Sequence, residues 1–340
     1  MPVPEAILCS VCIANYQGIN LIDDCIDSVR GQMGDLNIEI IVHDDASKDG
    51  SAEHIRARHP SVRLIESPVN VGFCVANNRM VAVARGRYVL LLNNDATLLP
   101  GALETLREEA QRIGRPAILT LPQYDARSGE LLDIGCRLDP FLNAVPNRDS
   151  AAGDVAMVAG ACLWIDKSLW DEIGGFPSWF GSLAEDLYLC CRARLAGHPV
   201  RALARSGYRH CVGAQFGGGR IQGGKLSTTF HRRALTERNK TFVMVMTYPA
   251  LAMPIMVAVH LILLLIEGGG LSLAKWNLAY LRVIYLPVFA ALWRRGPELR
   301  AGRCAAMGKR TLSYRDFFSV FDPLSYKLRM LFKHGLPETQ

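Results

Sequence analysis

The sequence predicts an α/β protein built on a mostly parallel, doubly wound sheet. Three observations carry this. Short apolar runs alternate with helix-patterned stretches from residue 7 to residue 100. The runs are mostly apolar, as buried strands are. Half of the 340 residues are hydrophobic, enough for a sizeable core. The length fits two domains, or one large α/β domain with an extension.

The elements follow in order. ILCSVCIA (7–14) reads as a buried strand. In LIDDCIDSVRGQ (21–32), Leu21, Ile22, Cys25, Ile26 and Val29 fall on one helical stripe. IEIIVHDD (38–45) is a second strand, and a short helix opened by Ser51 follows. VRLIES (62–67) is a third strand. GFCVANNRMVAVARG (72–86) is helical, with Gly86 as its stop. YVLLL (88–92) is the fourth strand. Helices of this length between strands argue for parallel pairing.

Ligands of such sheets bind at the carboxyl ends of the strands. Here three strands end in polar residues: Asn15-Tyr16, His43-Asp44-Asp45 and Asn93-Asn94-Asp95. Asn and Asp are common in any loop, but three polar tips at one edge read as one site. The turn after the first strand, ANYQG, carries no G-x-G-x-x-G dinucleotide fingerprint. GRIQGGKL (219–226) fits G-x-x-x-x-G-K but ends in Leu226 where a P-loop needs Ser or Thr. A Gly-rich loop whose Arg220 and Lys225 close over phosphates is the better reading.

Charge is uneven. Residues 1–200 carry 17 Lys/Arg and 26 Asp/Glu, a net of −9; residues 201–340 carry 21 and 6, a net of +15. The basic part points to an anionic partner: nucleic acid, a membrane face or a phosphorylated substrate. No aromatic-interleaved basic motif supports nucleic acid. The ten cysteines include Cys9 and Cys12, which point to opposite faces of a strand and share a metal poorly. No zinc set is complete, so free thiols and a reducing compartment are expected. The N-terminus, with Glu5 and no basic lead, is read as no signal peptide. Residues 243–266 hold no Asp, Glu, Lys or Arg, and a second apolar stretch from Trp276 is broken by Arg282 and Pro287. Three readings fit: helices on a membrane face, a spanning helix, or a soluble helical core.

Read together, VCIANYQG, IVHDDASKDGS, NVGFCVANN, LLLNNDATLLPG, VAGACLWIDKSLWDEIGGF, AEDLYLCCRARLAGHPV and YRHCVGAQ resemble family 2 glycosyltransferases, inverting enzymes of the GT-A fold. The resemblance covers about residues 7–242, with rhamnosyltransferase-like forms of NxGFxxAxN and LLLNND. It implies a GT-A domain over 1–242; the apolar, basic remainder, 243–340, is read as a helical, membrane-associated region. The resemblance further implies Mg²⁺ or Mn²⁺ as cofactor, with Asp95 as metal ligand and His210 as a second. Such a hard cation accepts oxygen ligands and neutralises a leaving diphosphate. Capping of the following helix is the plain alternative for Asp95.

For the nucleotide-sugar the resemblance nominates Asn15, Asp44, Asn70, Gly72, Asn78, Asn93 and Asn94. Asp44 would accept from the imide N–H of uracil or thymine, and Gly72 would admit close backbone approach. In the E-D pair, Asp186 takes the place of the base that deprotonates the acceptor, with Glu185 beside it. The commoner EDxDLxxR form is broken by Tyr188, while Arg192 is kept. Trp179, Phe180 and Arg220 are the candidate acceptor or phosphate contacts. Arg232, Arg233, Arg238 and Lys240 are candidates for phosphates or a lipid head group. The expected partners are a UDP- or dTDP-sugar donor and a glycan or polyprenyl-diphosphate-linked acceptor. The expected place is the cytoplasm, peripheral on the inner membrane face, with no nucleic acid. A nucleotidyltransferase is the first alternative, but it needs a Gly-rich basic loop after the first strand. A non-catalytic membrane-associated sugar or nucleotide binder is the second.

Overall fold

The computed structural model describes residues 6–32, 34, 36–151, 153–213, 220–222 and 225–339; the side chains of residues 220–226 lie outside the description. The chain divides into two compact units. The first comprises Met1–Cys136, Pro146–Ala193 and His198–Cys211; the second comprises Arg137–Val145, Arg194–Gly197 and Val212–Gln340.

The first unit is an α/β sheet unit. Strands β1 (Cys9–Asn15), β2 (Ile38–Asp44), β3 (Arg63–Glu66) and β4 (Tyr88–Asn93) alternate with helices α1 (Ile22–Arg30), α2 (Ser51–Arg58) and α3 (Phe73–Val83). β1 pairs in parallel with both β2 and β4, and β2 with β3. Beyond β4 follow β5 (Ala96–Leu98), α4 (Ala102–Ile113), β6 (Ile118–Thr120), β7 (Gln123–Asp125) and β8 (Leu131–Asp133). Then come β11 (Cys162–Asp166) and α5 (Lys167–Ile173), after β9 (Cys136–Leu138) and β10 (Ala144–Pro146), which belong mostly to the second unit. The sheet order is β12-β6-β11-β4-β1-β2-β3, where β12 is Val200–Ala202. β11 runs antiparallel between β4 and β6, so the sheet is mixed on that side.

The helical stripe of α1 buries Ile22, Cys25, Ile26 and Val29, and α4 buries Leu103 and Leu106 in the same core. Tyr88 and Trp164 stack across β4 and β11 with ring centroids 4.8 Å apart. α3 stops at Val83, because Ala84 is already extended. Gly86 therefore has another role. A Cβ there would stand 2.5 Å from the Ser10 backbone nitrogen, so the chain entering β4 crowds β1.

A second, four-stranded sheet runs β5-β13-β7-β8, with β13 being Tyr208–His210. β13 pairs antiparallel with β5, setting His210 opposite Ala96. Helix α6 (Glu185–Leu195) completes the elements that matter for the site. All ten cysteines are free thiols; Cys304 is exposed, Cys211 half-buried and the others buried.

The second unit is mainly helical. It holds β14 (Arg220–Gln222), β15 (Lys225–Thr228), α7 (Phe230–Thr247), α8 (Ala252–Ala274), a π-helical turn over Tyr280–Tyr285, α9 (Leu286–Arg294) and α10 (Gly296–Gly308). α11 (Tyr314–Phe318), α12 (Tyr326–His334) and β16 (Glu338–Thr339) close the chain. α8 and the helix after it form a hairpin whose shared core is Leu264, Leu271, Tyr280, Ile284, Tyr285 and Val288. Among the described residues, α8 is the one helix long and apolar enough to cross a membrane.

Candidate active site

The strand registers place Asn15 beside Asp44, and Ala14 beside Asn93, at the carboxyl edge of the sheet. The polar tips are therefore neighbours. They are also chained together. Asn15 Nδ2 donates to Asp44 Oδ2 at 2.8 Å, and Asn94 Nδ2 donates to Asn15 Oδ1 at 2.8 Å. Asp44 Oδ1 accepts from the Ser47 backbone N–H at 3.0 Å. All three side chains of the chain are buried. A carboxylate only accepts, so Asp44 fixes the Asn15 amide, and Asn15 in turn fixes Asn94. Gly18 closes over this chain, since a Cβ there would lie 2.1 Å from Asn94 Nδ2 and 2.2 Å from Asn15 Oδ1.

Asp95 and His210, far apart in sequence, meet because β5 pairs with β13; the Cys211 N–H donates to the Asp95 carbonyl at 3.1 Å. Asp95 Oδ1 is buried and accepts no hydrogen bond, and His210 Nε2 lies 3.2 Å from it. Asn93 Nδ2 lies 3.4 Å from the same imidazole nitrogen. A bare buried carboxylate oxygen facing an imidazole nitrogen fits a divalent cation. Among the described residues no group of three or more His, Cys, Asp or Glu is arranged for a metal. Further ligands would have to come from diphosphate and water, as hard cations bound at substrate phosphates commonly take them.

Asp186 stands in the first turn of α6. Its Oδ2 accepts from the Gly160 N–H at 3.0 Å and its Oδ1 from the Leu187 N–H at 2.7 Å. Gly160 is brought there by the loop entering β11, whose Ala161 carbonyl accepts from the Asn93 N–H at 3.1 Å. Glu185 beside it is buried. The pair is introduced by Leu183 and Ala184, both left-handed at φ 72° and 63°. Two consecutive non-glycine residues in that region are strained, a feature that concentrates at functional sites. Tyr188, in place of the second aspartate, accepts from Arg192 Nη1 at 2.6 Å inside the helix packing.

Other candidates are placed as follows. Gly72 has φ 85°, and a Cβ there would come 3.2 Å from the Gly181 carbonyl oxygen. Asp45 clamps this loop, accepting from Val71 N–H at 2.7 Å and Gly72 N–H at 2.9 Å. Asn70 is exposed. Asn78 is bonded both ways to the Phe176 backbone, donating at 2.8 Å and accepting at 3.1 Å, so a nucleotide contact there would have to break these bonds. Phe180 is fully buried against Trp179, with ring centroids 4.8 Å apart. The Trp179 ring is partly exposed. Arg220 starts β14, and its side chain lies outside the described residues.

One residue escaped the sequence reading. Asp133 sits opposite Gln123 across β7 and β8, and Gln123 Oε1 accepts from the Tyr208 hydroxyl at 2.6 Å. Burial pushes the Asp133 carboxyl up to about 6, opposed by the Gly135 N–H and by His210. The signal in sequence was a lone aspartate in LLDIG, with nothing to show that its carboxyl is desolvated.

Comparison with known proteins points to a family and a fold. The glycosyl transferase family 2 profile matches residues 10–174. The N-acetylglucosaminyl-diphospho-decaprenol L-rhamnosyltransferase of Mycobacterium tuberculosis is 25% identical over 190 residues, covering 47% of this chain and 62% of that protein. The succinoglycan biosynthesis protein ExoO of Rhizobium meliloti is 34% identical over 103 residues, 30% of this chain and 29% of its own length. The chain spans about a third or less of the first curated relatives it matches. Among solved structures, S. aureus TarS 1-349 in complex with UDP superposes at a TM-score of 0.52 with 15% identity, covering 91% of this chain and 89% of that one. The mannosyltransferase PcManGT from Pyrobaculum calidifontis, in complex with GDP-Man and Mn²⁺, gives 0.51 at 20% identity over 90% and 87%. Residues 10–174 thus match family 2 glycosyltransferases, and the chain shares the GT-A fold of the solved structures.

Proposed function

We propose that this chain is a metal-dependent inverting glycosyltransferase of cell-surface glycan synthesis. It would move a sugar, with rhamnose the first candidate, from a UDP- or dTDP-sugar to a glycan or lipid-linked glycan. The observation that carries the reading is the pair of Asp95 Oδ1 and His210 Nε2, 3.2 Å apart at the carboxyl edge of the sheet. The names of the relatives support the substrate classes: a diphospho-decaprenol-linked rhamnosyl acceptor in one, a UDP complex in another.

Each residue has a task in this reading. Asp95 and His210 would hold Mg²⁺ or Mn²⁺, which supplies positive charge to a departing diphosphate. Asp44 and Asn15 form the floor for the base and ribose, and Asn93 faces the cation site. Asn70 and Gly72 border the nucleotide. Asp186 takes the proton from the acceptor hydroxyl. Its two backbone hydrogen bonds hold the carboxylate in one orientation, which a positioned base requires. Glu185 and Trp179 flank the acceptor side. The GT-A domain would extend to about residue 242, with the remaining helices peripheral on the cytoplasmic membrane face.

A thermal-shift screen of sugar nucleotides with and without Mn²⁺ tests this. A ligand that binds only the folded state raises apparent stability by mass action. One UDP- or dTDP-sugar should stabilise the chain, more so with Mn²⁺. No nucleotide-sugar response, with or without metal, would reject the reading.

A further inference from the structure

The α8 hairpin is apolar on both of its faces, but only one face is covered. Inward lie the hairpin core and an ionic cluster. Arg233 of α7 pairs with Glu267 of α8, and Lys327 of α12 bridges Glu267 at 2.7 Å and Glu237 at 2.6 Å. Lys240 lies 2.9 Å from Glu237. Burial opposes the charge of Glu237, and Lys240 with Lys327 outweighs it, so its pKa is lowered. Outward, Ile255, Val259, Ile262, Leu263 and Ile266 recur at helical spacing and are 65, 41, 56, 40 and 63% exposed. Trp276 and Trp293, at the hairpin turn and at the end of its second leg, are almost fully exposed. Monomeric soluble proteins rarely leave such a contiguous apolar surface bare.

We propose that this hairpin docks on an anionic phospholipid leaflet with α8 lying in the membrane plane rather than crossing it. The proposal rests on the membrane association offered above and specifies its geometry. Charge decides the occupant. Arg238 of α7 lies near Arg294, the last residue of α9, and Arg295, which follows it; burial, then the charges of Arg295 and Arg294, lower the Arg238 pKa. These guanidiniums, next to the exposed Trp293, match anionic head groups.

Crossing is disfavoured by the same contacts. α8 packs against Tyr280–Val288, so both legs must share one depth. The second leg runs only from Tyr280 to Arg294 and carries Arg282, whereas a span needs about 20 apolar residues. Glu267 would also draw Arg233, Lys327, Glu237 and Lys240 into hydrocarbon, where each charge is expensive. In the plane, the outward stripe enters the leaflet and every one of those charges stays on the protein side.

Flotation of the full chain tests the surface. It should rise with vesicles of equal parts phosphatidylcholine and phosphatidylglycerol, and less with phosphatidylcholine alone. An Ile262→Glu/Ile266→Glu variant, exposed at both sites, should keep its melting temperature and lose roughly tenfold or more of its binding. Arg294→Ala/Arg295→Ala should lose the preference for phosphatidylglycerol. Flotation of the double glutamate variant at the parent level, or self-association through this face with no vesicle binding, would overturn the docking surface. For orientation, Leu251→Cys and Trp276→Cys are made separately in a Cys304→Ser background and labelled with a membrane-impermeant maleimide. Protein added outside vesicles should label at both ends of α8; protection of one end would establish crossing and overturn the in-plane geometry. None of these readouts requires sugar transfer, so their failure leaves the enzymatic reading separately testable.

Discussion

Replacing Gly18 by alanine probes the polar chain at the sheet edge without touching any of its members. The new Cβ would stand 2.1 Å from Asn94 Nδ2 and 2.2 Å from Asn15 Oδ1. Neither amide can simply swing away. Asn15 is held by Asp44 at 2.8 Å and Asn94 by Asn15 at 2.8 Å, and all three are buried. Making room therefore breaks two hydrogen bonds among buried groups. Each bond lost leaves a buried group unsatisfied at about 1–3 kcal/mol, so Gly18→Ala should lose roughly 2–6 kcal/mol. Urea unfolding followed by tryptophan fluorescence reads the loss as a lower midpoint at unchanged slope. The donor KM should rise with it, because Asn94 precedes Asp95. An alanine variant within about 0.5 kcal/mol of the parent would refute the reasoning, since surface substitutions stay in that range. It would mean that the amides have room to move.

Three further outcomes are expected. Asp186→Asn should cut transfer by about 10²–10⁴-fold, the usual contribution of a positioned base, while sugar-nucleotide binding by calorimetry stays intact; lost binding would place Asp186 elsewhere in the mechanism. Asp95→Ala should remove the stimulation by Mn²⁺ and lower turnover in excess metal, and parent-like turnover with a chelator present would contradict it. Asp133 gives a pH signature. Its folded-state pKa of about 6 lies above the ordinary carboxyl value, so the folded state binds more protons between about pH 4 and pH 6. Stability from this group is present at low pH and lost as pH rises through 6. Asp133→Asn should therefore stabilise the protein at pH 8 by about 1–3 kcal/mol and by much less at pH 4; an equal effect at both values would show that the carboxyl titrates normally.

The sequence made the parallel core readable because its signals are local. The stripe of Ile22, Cys25, Ile26 and Val29 and the run Val89–Leu92 each declare their element alone, and both are buried as expected. What stayed hidden depends on distant pairing. β11 reads as one more apolar run, and nothing local shows that it enters antiparallel between β4 and β6. That reversal is what brings Gly160 to Asp186. Likewise, the meeting of Asp95 with His210 follows from the β5–β13 ladder, and a periodicity scan cannot see a register. The GT-A resemblance nominated the residues of the candidate site but not their bonding. The amide chain through Asn15, the left-handed Leu183–Ala184 pair and the closure by Gly18 emerge only when backbone angles and neighbours are known. The opposite also occurs: Asn78 sits in a motif that resembles a nucleotide loop, yet its amide is engaged by the Phe176 backbone. Gly86 looked like a helix stop and instead lets two strands approach.

The most direct measurement is diffraction at the manganese absorption edge from crystals grown with Mn²⁺ and UDP or dTDP. The account predicts an anomalous peak at about 2.2 Å from Asp95 Oδ1 and within reach of His210 and the diphosphate. Nucleotide bound in the cleft with Asp95 and His210 still facing each other at 3.2 Å, and no peak between them, would contradict it.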